Sequence, residues 1–117
     1  MGSMLSMPYS SEINDIPAHI SLHHSAERFG KMICDQFDVL YKEGAKSGRV
    51  MAIALHPYLI GVPHRIGAFD AALKYICKHK KVWKATGSEI ARHYLEQLDG
   101  GTIEKKASRK KQAGGRR

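Results

Sequence analysis

The stretch Val50-Met51-Ala52-Ile53-Ala54-Leu55-His56-Pro57 decides how the rest of the chain is read. Six apolar residues stop abruptly at a histidine and a proline, between Gly44 and Gly48 on one side and Gly61 on the other. The run is too short for a core helix, and unbroken apolarity suits a strand covered on both faces. Upstream, Phe29, Met32, Ile33, Phe37, Leu40 and Tyr41 recur at three- and four-residue steps behind Ser25. That spacing predicts an amphipathic helix, with Ser25 as N-cap and Glu27 favourable in the first turn. Downstream, Ile66, Phe69, Leu73, Ile76 and Cys77 predict a second helix, and residues 82–85 a second short strand. Thr86-Gly87-Ser88-Glu89 has the form of a capping box that opens a third helix, with Ile90, Ala91, Tyr94, Leu95 and Leu98 inward.

The order helix-strand-helix-strand-helix predicts an α/β fold with a parallel sheet and right-handed crossovers. Two strands leave two open edges and too little core, so the expected architecture is an arc of a larger (β/α) barrel. The expected layout is a loop or extended lead-in over residues 1–24, the barrel portion over 25–98, and a disordered basic tail over 99–117. The lead-in carries turn chemistry in Pro8-Tyr9-Ser10-Ser11 and Asn14-Asp15-Ile16-Pro17. The tail is Gly, Lys, Arg and Ser with one Ile and no aromatic residue, too little apolar surface to offset ordering entropy.

Charge follows this division. The 117 residues hold 19 Lys+Arg against 11 Asp+Glu, a formal +8. Seven basic and two acidic residues fall from Asp99 onward, leaving twelve against nine in the body. The basic character belongs to the tail, which is suited to weak binding of acidic surfaces, and nucleic-acid binding is not the first reading of the body. No apolar run approaches membrane-spanning length, so no membrane partner is expected. Two cysteines within helical patterns, and no charged-then-apolar secretory leader, point to a cytoplasmic protein rather than a disulfide scaffold.

His56 is the most informative polar residue. It stands where the apolar run ends and the loop begins, the position from which reactive side chains project in α/β barrels. An imidazole there transfers protons near neutral pH, or simply caps the strand by hydrogen bonding. Arg65, in the loop after His56, suits either an anionic or carbonyl group of a ligand or a bridge within the loop. Asp15 suits either orienting a histidine or capping a turn. His19, His23 and His24 have partial metal-ligand spacing but no carboxylate or cysteine following at ligand distance, so no metal site is assigned.

Ile53-Ala54-Leu55-His56-Pro57-Tyr58-Leu59-Ile60-Gly61, Pro63-His64-Arg65-Ile66, His79 with Val82-Trp83, and Glu89-Ile90-Ala91-Arg92-His93-Tyr94 together resemble the carboxyl-terminal part of polysaccharide deacetylases. The flavour is that of the allantoinase-like branch of the NodB-homology superfamily. Pro8-Tyr9-Ser10-Ser11-Glu12-Ile13-Asn14-Asp15-Ile16-Pro17 is similar to the segment those proteins place just before this region.

The resemblance implies a distorted (β/α) barrel that hydrolyses non-peptide C–N bonds, in N-acetylated sugars or cyclic ureides. It implies His56 as the acid that protonates the leaving amine, with Asp15 and Arg65 as substrate-binding residues. Full-length relatives hold a divalent, zinc-like metal through an Asp-Asp strand end and a His-Ser/Thr-x-x-His motif. Neither motif occurs here, so no cofactor is expected in this chain. The expected function is therefore a carboxyl-terminal fragment of such a hydrolase, inactive alone, partnered by a missing amino-terminal half or by a second copy. The alternative is a non-catalytic interaction protein using open sheet edges and the basic tail.

Overall fold

The computed structural model describes the backbone of residues 4–113 and the side chains of residues 4–100. The described residues form four α-helices, α1 (Ala26–Gly44), α2 (Pro57–Ile60), α3 (Pro63–Cys77) and α4 (Gly87–Ala113), with a π-helical turn at Pro17–Ser21 ahead of them. The chain divides into two compact units, Pro8–Val82, and Met1–Met7 with Trp83–Arg117.

The first unit is built on α1 against α3. Ser25 caps α1 as its sequence requires, its hydroxyl oxygen accepting the Arg28 backbone N–H at 3.1 Å, and Glu27 lies in the first turn. Phe29 and Ile33 are fully buried on the inward stripe of α1, where Ile13, Ala18, Ile60 and Ala72 meet them. The two helices approach closely at Gly30, where a Cβ would lie 3.1 Å from the Ala68 carbonyl oxygen. On α3 the inward residues are Phe69, Ala72 and Ile76, whereas Ile66 and Leu73, expected inward, are 41% and 37% exposed. Ala72 shares the inward stripe with Phe69 and Ile76 at three- and four-residue steps, which turns Leu73, one residue on, away from it.

The expected α/β arc is not what the chain forms. Among the described residues there is no sheet, and residues 50–55 carry a single isolated parallel bridge, Asn14 with Ala54. In it the Ala54 N–H donates to the Ile13 carbonyl at 2.9 Å, and the Asp15 N–H donates to the Ala54 carbonyl at 3.1 Å. A strand is defined by its neighbours, and apolarity alone does not supply them. Residues 82–85 form no strand either: Lys81 turns the backbone with φ 61° immediately before them, and Trp83 is 58% exposed. The apolar run instead covers the α1–α3 core through Met51, Ile53 and Ala54.

In the second unit, α4 opens on the expected capping box. The Glu89 carboxylate accepts the Thr86 N–H at 2.6 Å and the Thr86 hydroxyl at 2.9 Å, and the Glu89 N–H reaches back to the Thr86 hydroxyl at 3.3 Å. These bonds to the charged form hold the Glu89 carboxyl below its ordinary pKa. Tyr94, Leu95 and Leu98, expected inward, are 47%, 44% and 50% exposed. The helix backbone runs on to Ala113, where a disordered tail is expected from 99. Its composition explains this, since Glu, Lys, Arg, Gln and Ala favour the helix without needing a packed face. Residues 114–117 of that expected tail lie outside the described residues. No described helix is long and apolar enough to cross a membrane.

Candidate functional site

The site grows out of the β-bridge between Asn14 and Ala54. Ser10 and Asn14 first fix the lead-in locally. The Ser10 hydroxyl accepts the Ile13 N–H at 2.8 Å, and the Asn14 side-chain oxygen accepts the Ile16 N–H at 3.1 Å, an Asx turn. Ile13, 2% exposed, anchors this turn in the core. The bridge to Ala54 then sets the register, so that Asp15, one residue past Asn14, meets His56, two residues past Ala54.

Asp15 is fully buried, and both its carboxylate oxygens serve His56. One accepts the His56 backbone N–H at 2.6 Å, the other faces the ring Nδ1 at 2.7 Å. A carboxylate is acceptor-only, so Nδ1 carries the proton of that bond and Nε2 is the nitrogen left for chemistry. The His56 side chain is 33% exposed. One ring nitrogen is thus held from within the fold, in an imidazole that solvent still reaches.

The loop beyond His56 is stiff. Pro57 opens α2, the His56 carbonyl accepts N–H groups from Leu59 and Ile60, and Gly61 N–H donates to the Pro57 carbonyl at 3.0 Å. A Cβ on Gly61 would fall 2.5 Å from that same oxygen, so glycine is required for the turn to close. Leu59 and Ile60 pin α2 into the core, while Tyr58 points outward, 63% exposed. Its ring lies 6.0 Å from the His56 ring, edge to face at 68°.

Of the residues singled out from the sequence, Asp15 and His56 come together across 41 positions. The Asp15 carboxylate, expected in a substrate-binding role, is turned to His56 rather than to solvent. Arg65 donates from Nη1 to the Leu59 carbonyl at 3.1 Å, so its guanidinium braces the end of α2. His19 lies on the π-helical turn, buried, with Nδ1 2.9 Å from the His24 carbonyl and its ring against Phe29. Sequence reading missed Tyr58; its neighbourhood to His56 was the available signal.

Asp15 is committed to His56, and His19 keeps Nδ1 on the His24 carbonyl while its buried Nε2 has no hydrogen-bond partner. Among the described residues no three His, Cys, Asp or Glu side chains converge, so these residues do not fit a resident metal.

No family profile and no curated protein sequence matches the chain. Two solved structures do. One is titled as the crystal structure of a Puue allantoinase, 34% identical, with a TM-score of 0.71 over 75% of this chain and 30% of that one. The other is titled as a probable polysaccharide deacetylase from Pseudomonas aeruginosa PAO1, 37% identical, with a TM-score of 0.72 over 77% of this chain and 30% of that one. The chain thus spans under a third of the length of either structure.

Proposed function

Because the chain is related over part of its length to the polysaccharide deacetylase (NodB-homology) superfamily, we propose that it supplies the proton-donating side of a hydrolytic site for non-peptide C–N bonds. The observation that carries this reading is the Asp15–His56 pair: a fully buried carboxylate gripping one ring nitrogen of a partly exposed histidine.

The chemistry follows from the pair. Cleaving an amide or ureide C–N bond requires a proton for the departing nitrogen, because an amide anion is too poor a leaving group. His56 in its charged form delivers that proton from Nε2. Asp15 stabilises the imidazolium at the moment it is needed and holds the tautomer and ring plane throughout. The rigid turn of α2, closed at Gly61 and braced by Arg65, keeps the ring from swinging away. The described residues provide no comparable base for activating water, so the complete reaction draws that group from outside them.

The test is complementation. The full chain is assayed for hydrolysis of allantoin and of N-acetylated aminosugars, alone and mixed with the portion of the matched deacetylase that it does not span. The expected result is no turnover alone, turnover in the mixture, and none in the mixture with His56→Ala. Turnover in the mixture that survives His56→Ala would overturn the role given to His56, and a mixture without turnover would overturn the hydrolytic reading.

A further inference from the structure

Tyr58 is the residue of α2 whose place is not explained by folding. Its neighbours Leu59 and Ile60 are 8% and 3% exposed and hold the turn in the core, whereas Tyr58 is 63% exposed. Among the described residues the only aromatic ring against its own is that of His56, and its hydroxyl has no hydrogen-bond partner. A large aromatic side chain left in water on a rigid turn adds little to stability. Yet the backbone beneath it is tightly fixed, with Gly61 unable to carry a Cβ and Arg65 fastened to the Leu59 carbonyl.

The geometry gives that placement a use. The imidazole and phenol rings stand at 68° with centroids 6.0 Å apart, forming an open corner. Asp15 holds Nδ1 from inside, which leaves Nε2 as the free nitrogen of the imidazole. A flat group laid on the Tyr58 face presents its edge to the imidazole, and stacking is the favoured contact between an aromatic face and a planar π-system. We infer that Tyr58 is a substrate-positioning residue, whose ring stacks on the planar C–N acyl group and brings its nitrogen to His56 Nε2. The inference rests on the reading of His56 given above, and the ligand chemistry is that shared by a cyclic ureide and an N-acetyl group.

The experiment is an aromatic 1H–13C NMR titration of the full chain with allantoin, and separately with N-acetylglucosamine. With at least one of them, the Tyr58 ring signals and the His56 Cε1–H signal are expected to shift along one binding curve. Tyr58→Ala should weaken that binding roughly fivefold as read at His56, and Tyr58→Phe, which keeps the stacking face, should restore it. The arm that responds identifies the source of the planar group. His56 shifting while the Tyr58 ring stays still, or Tyr58→Ala binding as tightly as wild type, would overturn the role of Tyr58 and leave that of His56 standing. If neither ligand moves either residue, the positioning inference is overturned, and the complementation assay judges His56 separately.

Discussion

Asp15 is the residue on which site and stability meet. A buried carboxylate with both oxygens engaged tolerates little change, because any donor it loses leaves charge unpaired away from water. Asp15→Asn keeps the shape and an oxygen for the His56 backbone N–H, but it turns an amide NH2 to Nδ1, which must then accept while the ring proton moves to Nε2. The expected cost is about 1–3 kcal/mol in urea unfolding, and the 15N shifts of His56 should show the proton on Nε2 instead of Nδ1. Removing the other partner acts on the same pair. His56→Ala leaves one oxygen of the buried carboxylate without its ring donor and should destabilise the unit by about 3 kcal/mol. Equal unfolding midpoints for wild type and both variants would show that the pair contributes nothing to the fold.

Two elements carry their own tests. In α2, Gly61→Ala must displace the Pro57 carbonyl, since the added Cβ would otherwise sit 2.5 Å from it. A loss of about 2 kcal/mol is expected, together with a change in the His56 ring signals, because Pro57 follows His56 directly. In α4, the Glu89 carboxyl titrates below its ordinary value because Thr86 bonds to its charged form. Its contribution to the helix start is therefore complete above the ordinary carboxylate pKa and is lost as pH falls through the lowered one. Most of that lowering comes from the residue-86 backbone N–H, which Thr86→Ala keeps. A carboxyl 13C titration should therefore show the variant moving Glu89 only part of the way toward the ordinary value, with backbone signals of residues 87–90 moving toward coil. Unchanged backbone signals and an unchanged Glu89 titration in Thr86→Ala would contradict the hydroxyl's part in the capping box.

At the level of the whole molecule, the Asp15–His56 pair and the α1–α3 core both lie within the unit Pro8–Val82. A chain limited to residues 8–82 should therefore fold and keep the Asp15-bound His56 Nδ1–H signal. Loss of dispersed NMR signals on removing residues 83–117 would show that the unit depends on the rest of the chain. Phe29, at 0% exposure, fills the centre of that core, and Phe29→Ala is expected to cost about 3–5 kcal/mol and to unfold so small a unit at ordinary temperature.

What the sequence determined by itself is local. Ser25 and Thr86 cap their helices because a hydroxyl and a backbone N–H three residues on meet wherever the chain turns into a helix. The stripe of Phe29, Ile33 and Phe37 faces inward because helical spacing places them on one side. The polar break at His56 could likewise be read in one dimension, as could its resemblance to the late histidine of deacetylases. The tertiary structure alone decided the rest. Whether residues 50–55 become a strand depends on distant partners, and among the described residues the only such partner is Asn14. Which stripe of α3 turns inward depends on how it packs against α1, and it is Phe69, Ala72 and Ile76 rather than the one with Ile66 and Leu73. Asp15 could have capped a turn, bound a ligand or held a histidine. It holds His56 because one backbone pairing across the core brings together two residues that no local rule connects.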